Sequence, residues 1–71
     1  MNAMEWLSAY AEALGVDPPT RDDVTTLLDL AAEAAHASHR IAAPIACWLA
    51  ARAGLAPDEA LELARTVAAE G

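Results

Sequence analysis

The chain has 71 residues, 56% of them hydrophobic and 21% charged, with 20 Ala, 9 Leu and a net charge of −7 at pH 7. This length allows one small domain over residues 1–71 and excludes two, and the apolar share is too high for a disordered acidic tail. Because 11 Asp and Glu oppose four Arg and no Lys, nucleic-acid and anionic-membrane partners are disfavoured, and one cysteine excludes an internal disulfide.

The composition is dominated by strong helix formers, and no segment alternates apolar and polar residues over a sustained length. We therefore predict an all-α, compact four-helix domain. The expected helices cover about 3–14, 21–39, 43–53 and 57–69, with the third helix at the centre.

The first helix is predicted to begin with a capping box between Asn2 and Glu5 and to end at Leu14, where Gly15 is free to take a left-handed conformation. Trp6 is placed on the flank of its apolar side. The helical spacing predicts a buried stripe of Ala3, Leu7, Tyr10 and Leu14.

The second helix follows Asp17-Pro18-Pro19, which cannot continue a helix, and Thr20 is its expected N-cap. Asp22 and Asp23 then lie favourably at the positive end of the helix dipole. The spacing predicts an apolar face of Val24, Leu27, Leu28, Ala31, Ala35 and Ser38. The opposite, polar face would consist of Asp29, Glu33, His36 and Arg40.

Pro44 predicts a break or kink near 39–43, since it would leave a hydrogen bond unmade inside a continuous helix. The third helix would then stop at Gly54. Because this helix is apolar nearly all round, it is expected to be the central one. Its large side chains share one side, namely Ile41, Ile45, Trp48, Leu49 and Arg52. Small residues that allow close approach share the other, namely Ala42, Ala46, Ala50 and Ala53.

The fourth helix is predicted to open at Pro57, a residue favoured at the first helical position, with Asp58 and Glu59 in its first turn. Glu62 and Arg65 are spaced to pair on its outer surface. The inward positions are expected to be Ala60, Leu63, Ala64 and Val67.

Catalysis is not expected from this sequence. No phosphate-binding glycine loop, Gly-x-Ser-x-Gly elbow or His-Glu-x-x-His pair occurs. Cys47 lies in the most apolar segment, where the pKa of a thiol rises and its reactivity falls, so it is interpreted as a small buried hydrophobe. The protein is predicted not to be an enzyme and to need no cofactor.

Metal binding is also not expected. Glu33-x-x-His36 has the spacing of a di-iron ligand pair, but such sites use two of these motifs and further carboxylates. Adding His39 still leaves too few ligands for a structural zinc site. The preferred interpretation is a solvated Glu–His pair.

His36 and Arg40, spaced i, i+4, form a candidate binding site for a carboxylate or phosphate, which would make the protein a small anionic-ligand-binding module. The alternative is that these two cations complement the dipole at the end of the second helix and bind no ligand. The sequence leaves both interpretations open.

The core predicted for this chain is small, and a core of this size rarely supplies more than about 3–5 kcal/mol. Trp6, Tyr10 and Trp48 are therefore candidates for a surface that binds a protein partner or a second copy of the chain. Arg52, on the side of Trp48, would extend to solvent, pair with a carboxylate or stack on the indole.

A cytoplasmic location is expected. Residues Met1–Glu5 lack the basic segment of a secretory signal, and the apolar run from Ile41 to Ala51 is about half the ~20 residues of a membrane-spanning helix.

Seven segments of the sequence carry a resemblance to a known family, namely Glu5-Trp6-Leu7, Ala13-Leu14-Gly15, Leu27-Leu28-Asp29-Leu30-Ala31, Ala35-His36, Arg40, Ala43-Pro44 and Leu49-Ala50. Through them the sequence resembles a small bacterial family of all-helical domains of unknown function, which occur free-standing or fused to the C-terminus of molybdenum-cofactor guanylyltransferases. The resemblance implies a non-enzymatic accessory role in molybdenum-cofactor or molybdoenzyme maturation, with His36, Arg40 and the turn at Pro44 as the face to test.

Overall fold

The computed structural model describes residues 1–70, and over this range the chain forms four α-helices and no strand. The helices are α1 (Ala3–Leu14), α2 (Arg21–Ala37), α3 (Ala42–Arg52) and α4 (Pro57–Glu70). Their ends fall within two residues of the predicted ones, so the all-α, compact four-helix prediction is confirmed.

Local hydrogen bonds define both ends of α1. The backbone N–H of Glu5 donates to Asn2 Oδ1 at 2.8 Å, and the backbone N–H of Asn2 donates to Glu5 Oε1 at 3.3 Å. Gly15 has a φ of 78°, and its N–H donates to the carbonyl of Glu12 at 3.1 Å. The predicted capping box and left-handed glycine are therefore both present.

A second capping box begins α2. The backbone N–H of Asp23 donates to Thr20 Oγ1 at 3.0 Å, and the N–H of Thr20 donates to Asp23 Oδ2 at 3.1 Å. The helix ends at Ala37, where Ser38 Oγ donates to the carbonyl of Ala34 at 2.8 Å. The predicted break is thus present, over residues 38–41.

Proline and glycine mark the boundaries of α3 and α4. Pro44 lies in the first turn of α3, where a missing N–H leaves no intrahelical bond unmade. Gly54 follows the end of α3 with a φ of 74°. Pro57 is the first residue of α4, and Glu59 Oε1 accepts from the backbone N–H of Ala56 at 3.2 Å.

The core of the domain forms around α2, which packs against both α3 and α4. Leu30 of α2 is 2% exposed and contacts the buried Ala60 and Leu61 of α4. Partly buried residues surround these three, namely Leu27, Cys47, Ala50, Leu55 and Ala64. The central helix is therefore α2.

The prediction that the third helix is central is wrong. None of the residues of α3 is buried, and α3 packs through its small side, which includes Cys47 and Ala50. Small side chains let the helix approach α2 closely on that side alone. The large apolar side chains of the other side are exposed, namely Ile45, Trp48 and Leu49.

The predicted buried faces of α1 and α2 are also partly wrong. In α1, Ala11 is buried and Leu7 half-buried, whereas Ala3, Tyr10 and Leu14 are exposed. In α2, Leu28 is 65% exposed, because it lies about 160° around the helix from the buried Leu30. Ser38, beyond the last turn, is exposed as well.

In α4, Ala60 and Ala64 pack against the core as predicted. Leu61 takes the inward position expected for Leu63, and both Leu63 and Val67 are exposed. The actual contact side is thus rotated toward Leu61. This rotation leaves two large aliphatic side chains at the surface.

Candidate interaction surface

An exposed apolar surface lies on the side of α3 that faces away from α2. Its side chains recur at helical spacing and are exposed, because the small residues opposite them make the contacts with the core. We call this surface the α3 outer strip, which consists of Ile41, Ile45, Trp48, Leu49 and Arg52.

Trp48 contacts the residue one turn further along α3. The guanidinium carbon of Arg52 lies 4.6 Å from the centroid of the Trp48 ring, which is cation–π distance. Of the three roles left open for Arg52, the structure therefore shows stacking. The indole remains 56% exposed, so one large aromatic surface is accessible beside the guanidinium.

An apolar groove of about 560 Å³ lies between α2, α3 and α4. Its floor includes Leu30 and Ala34 of α2, and Leu63 and Val67 form part of its α4 wall. Leu49 of α3 lines the groove and also belongs to the outer strip. The groove and the outer strip therefore form one continuous apolar surface.

Sequence reasoning missed this groove, because it placed Leu63 and Val67 in the core. The sequence does contain a signal for the groove. Leu61 lies about 160° from Leu63 around α4, so the two residues cannot both face the core. A helix in a small domain has room for only one of the two on its buried side. The buried one is Leu61.

Glu33 lies at the edge of the groove and faces α4. Its Oε1 is 3.8 Å from Nε of Arg65, whereas the sequence predicted Glu33 on a solvated face and Arg65 paired with Glu62. Glu33 is thus partly solvated and pairs with Arg65 of α4. Since both partners are substantially exposed, the ion pair contributes little to stability.

Charge is distributed very unevenly around this surface. The 24 residues from Ala34 to Pro57 contain none of the 11 Asp and Glu residues, but two of the four Arg residues. They include all of α3. The outer strip thus belongs to a carboxylate-free segment of a strongly acidic chain.

A second exposed aromatic feature lies on α1. The rings of Trp6 and Tyr10 stack with centroids 5.0 Å apart and planes 28° from parallel, and both residues are about half exposed. Tyr10 also lines a cavity of about 420 Å³, together with Leu14, Leu27 and Pro57. The three aromatic residues singled out from the sequence are therefore all accessible, but they belong to two helices.

The structure does not place His36 and Arg40 on one helical strip. Because α2 ends at Ala37, Arg40 lies in the connection to α3 and the i, i+4 spacing no longer describes a helix face. Both residues are exposed. The binding of an anionic ligand by this pair stays a prediction.

The structure also bears on the reactivity of Cys47 and on the metal hypothesis. Cys47 is half-buried beside the core, and burial raises the pKa of its thiol above the ordinary value, as predicted. Among residues 1–70, no three His, Cys, Asp or Glu side chains lie close enough together to hold a metal ion. His39, which the metal hypothesis needed, lies beyond the end of α2.

Fold and surface together define an all-α four-helix domain with a large exposed apolar face. The chain belongs to the DUF6457 family, a domain of unknown function, which matches residues 1–71. No curated protein and no solved structure matches it. Within the described part of the chain, no helix has both the length and the apolar character needed to cross a membrane.

Proposed function

We propose that this domain is a non-enzymatic accessory module that binds a protein through the α3 outer strip and the adjoining groove. The observation that carries the proposal is Trp48, which stacks with Arg52 and remains half exposed among exposed aliphatic side chains. Contiguous apolar surface of this kind on a small domain marks an interaction site. Trp and Arg are also the residue types most enriched among binding hot spots.

Binding, as opposed to catalysis, is supported by the state of the one nucleophilic thiol. Burial disfavours the Cys47 thiolate, which is the reactive form. His36 and His39 are exposed, whereas a general base is usually positioned and tuned by buried neighbours. An accessory role fits these residues better than an enzymatic one.

The proposed connection with molybdenum-cofactor or molybdoenzyme maturation is supported by the resemblance described for the sequence. It specifies a class of partner, the molybdenum-cofactor guanylyltransferases, to which related domains are attached. The same apolar surface would then bind the guanylyltransferase, whether the domain is fused to that enzyme or separate from it.

The test is a binding titration of the chain against a purified molybdenum-cofactor guanylyltransferase, combined with affinity capture from an extract of the cells that produce it. Trp48→Ala should abolish the interaction. Trp6→Ala is the matched control, because Trp6 is equally exposed but lies on α1. The proposal fails if the chain binds neither the enzyme, nor any other protein, nor itself.

A further inference from the structure

We infer that the occupant of the α3 outer strip and groove is a second copy of this chain. The inference rests on the proposal that this surface binds a protein, and it assigns the surface to a second copy of the chain instead of to a guanylyltransferase. Three features of the molecule carry it. They are the amount of exposed surface, the shape of the apolar face and the distribution of charge.

The accessible surface of the chain is larger than expected for a folded monomer of its mass. The chain exposes 5431 Å², whereas a folded monomer of 7.4 kDa is expected to expose about 4,200 Å². The excess, about 1,200 Å², is comparable with the ~800 Å² that each partner buries in a stable interface. One more contact of ordinary size would therefore bring the exposed surface to the usual range.

The apolar face has the shape that a two-fold contact needs. The exposed side chains of Ile45 and Trp48 adjoin the groove at Leu49, which lines it. In a two-fold dimer the same patch is used by both copies and must be complementary to itself. Exposed large side chains next to a groove meet this condition, because each copy can place its side chains in the groove of the other.

Charge explains why two acidic chains would meet at this face. Each copy carries a net charge of −7, so most contacts between two copies bring carboxylates together and are repulsive. The segment from Ala34 to Pro57, which includes the whole outer strip, contains no carboxylate, and Glu33 at the edge of the groove is paired with Arg65. An antiparallel pair of α3 helices would also place the two Arg52 side chains at opposite ends of the contact. The two positive charges would then not repel each other.

The first experiment measures mass by sedimentation equilibrium from about 1 µM to about 1 mM protein, the range in which moderate dimers dissociate. We expect the mass to rise from 7.4 kDa to twice that value. Trp48→Ala should raise the dissociation constant about tenfold or more. Ile45→Asp, which introduces a carboxylate at an exposed position, should raise it further, and Trp6→Ala should leave it unchanged.

A second readout reports on the site itself. The chain has two tryptophans, so Trp6→Phe leaves Trp48 as the single indole fluorophore. Its emission should move to shorter wavelength as the protein concentration passes through the dissociation constant, because the indole leaves water on dimerisation. Helical circular dichroism of each variant verifies that the fold is retained.

A chain that remains at 7.4 kDa over the whole concentration range would overturn the inference. If such a monomer still bound another protein in a Trp48-dependent way, the proposed function would survive and only the identity of the occupant would be wrong. A monomer that binds nothing would overturn both. A dimer that is weakened by Trp6→Ala but not by Trp48→Ala would place the contact elsewhere and contradict the inference.

Discussion

Arg52 stacks on Trp48 at 4.6 Å, and this pair joins the charged and the apolar parts of the α3 outer strip. The two residues are one helical turn apart, so the contact needs no support from another helix. Stacking restricts the rotamers of both side chains, and a restricted aromatic group loses less conformational entropy on binding than a mobile one.

Replacing Arg52 with Ala should expose and release the indole without unfolding the domain. We expect a loss of about 0.5–1 kcal/mol of stability, the contribution of an exposed cation–π contact. Trp48 fluorescence anisotropy should fall in a Trp6→Phe background. Arg40→Ala is the control, since Arg40 is an exposed residue of the connection between α2 and α3. Unchanged anisotropy would contradict the stacking role.

Leu30→Ala should cost about 2–5 kcal/mol of unfolding free energy, since it leaves a cavity beside Ala60 and Leu61. In a domain of this size such a loss removes most of the stability. Leu28→Ala is the matched control on the same helix and should change stability by no more than about 0.5 kcal/mol. Urea denaturation followed by circular dichroism measures both. Equal effects would show that α2 does not pack as described.

Removal of the Thr20 hydroxyl should destabilise α2 at its first turn. Thr20→Ala leaves the backbone N–H of Asp23 without its partner at 3.0 Å, and such a change costs about 1 kcal/mol. Thr25→Ala, at an exposed position inside α2, should be neutral or slightly stabilising because Ala is the better helix former. Thermal melts measure the stability of both variants. A larger loss of stability for Thr25→Ala than for Thr20→Ala would refute the capping role of Thr20.

Gly54→Ala should be destabilising although no atom lies near the added methyl group. Nothing stands within 4 Å of a Cβ at this position, but φ is +74°, where an Ala residue costs about 1–2 kcal/mol. Gly54→Asn should recover part of that loss, because Asn adopts the left-handed conformation more readily. Equal stability of the Ala and Asn variants, measured by urea denaturation, would argue that the backbone at this position is not left-handed.

Cys47 should make the domain less stable at high pH. Burial raises the pKa of the folded thiol above its ordinary value of 9.0, so the unfolded chain releases the proton first. Stability from this group is therefore complete below the unfolded pKa and is lost as pH rises through the folded pKa. Cys47→Ala should flatten that part of the stability profile. A slope that Cys47→Ala leaves intact would assign the pH dependence to another group.

The ends of the helices could be predicted from the sequence because their signals are local. Asn2 with Glu5, Thr20 with Asp23, and the two left-handed glycines each act within a few residues, and the structure contains all of them. The stacking of Arg52 on Trp48 is likewise a contact within one turn. Such interactions depend little on how the helices pack.

The buried faces could not be predicted as well, because several rotations of an Ala- and Leu-rich helix present a comparable apolar surface. Leu28 and Leu30, or Leu61 and Leu63, differ only in which one meets a neighbouring helix. The ion pair of Arg65 with Glu33 shows the same limit, since the sequence offers Glu62, three residues away on the same helix, as the local partner and gives no sign of a contact with α2. The apolar groove follows from these choices and was therefore missed.

α3 contacts the core through small side chains that include Cys47 and Ala50, whereas Ile41, Ile45 and Trp48 are exposed on its other side. Substitutions at these three positions would therefore leave the contacts of Leu30 with Ala60 and Leu61 unchanged. The sequence of the proposed binding surface could thus change, and a new partner could be recognised, without a compensating change in the core.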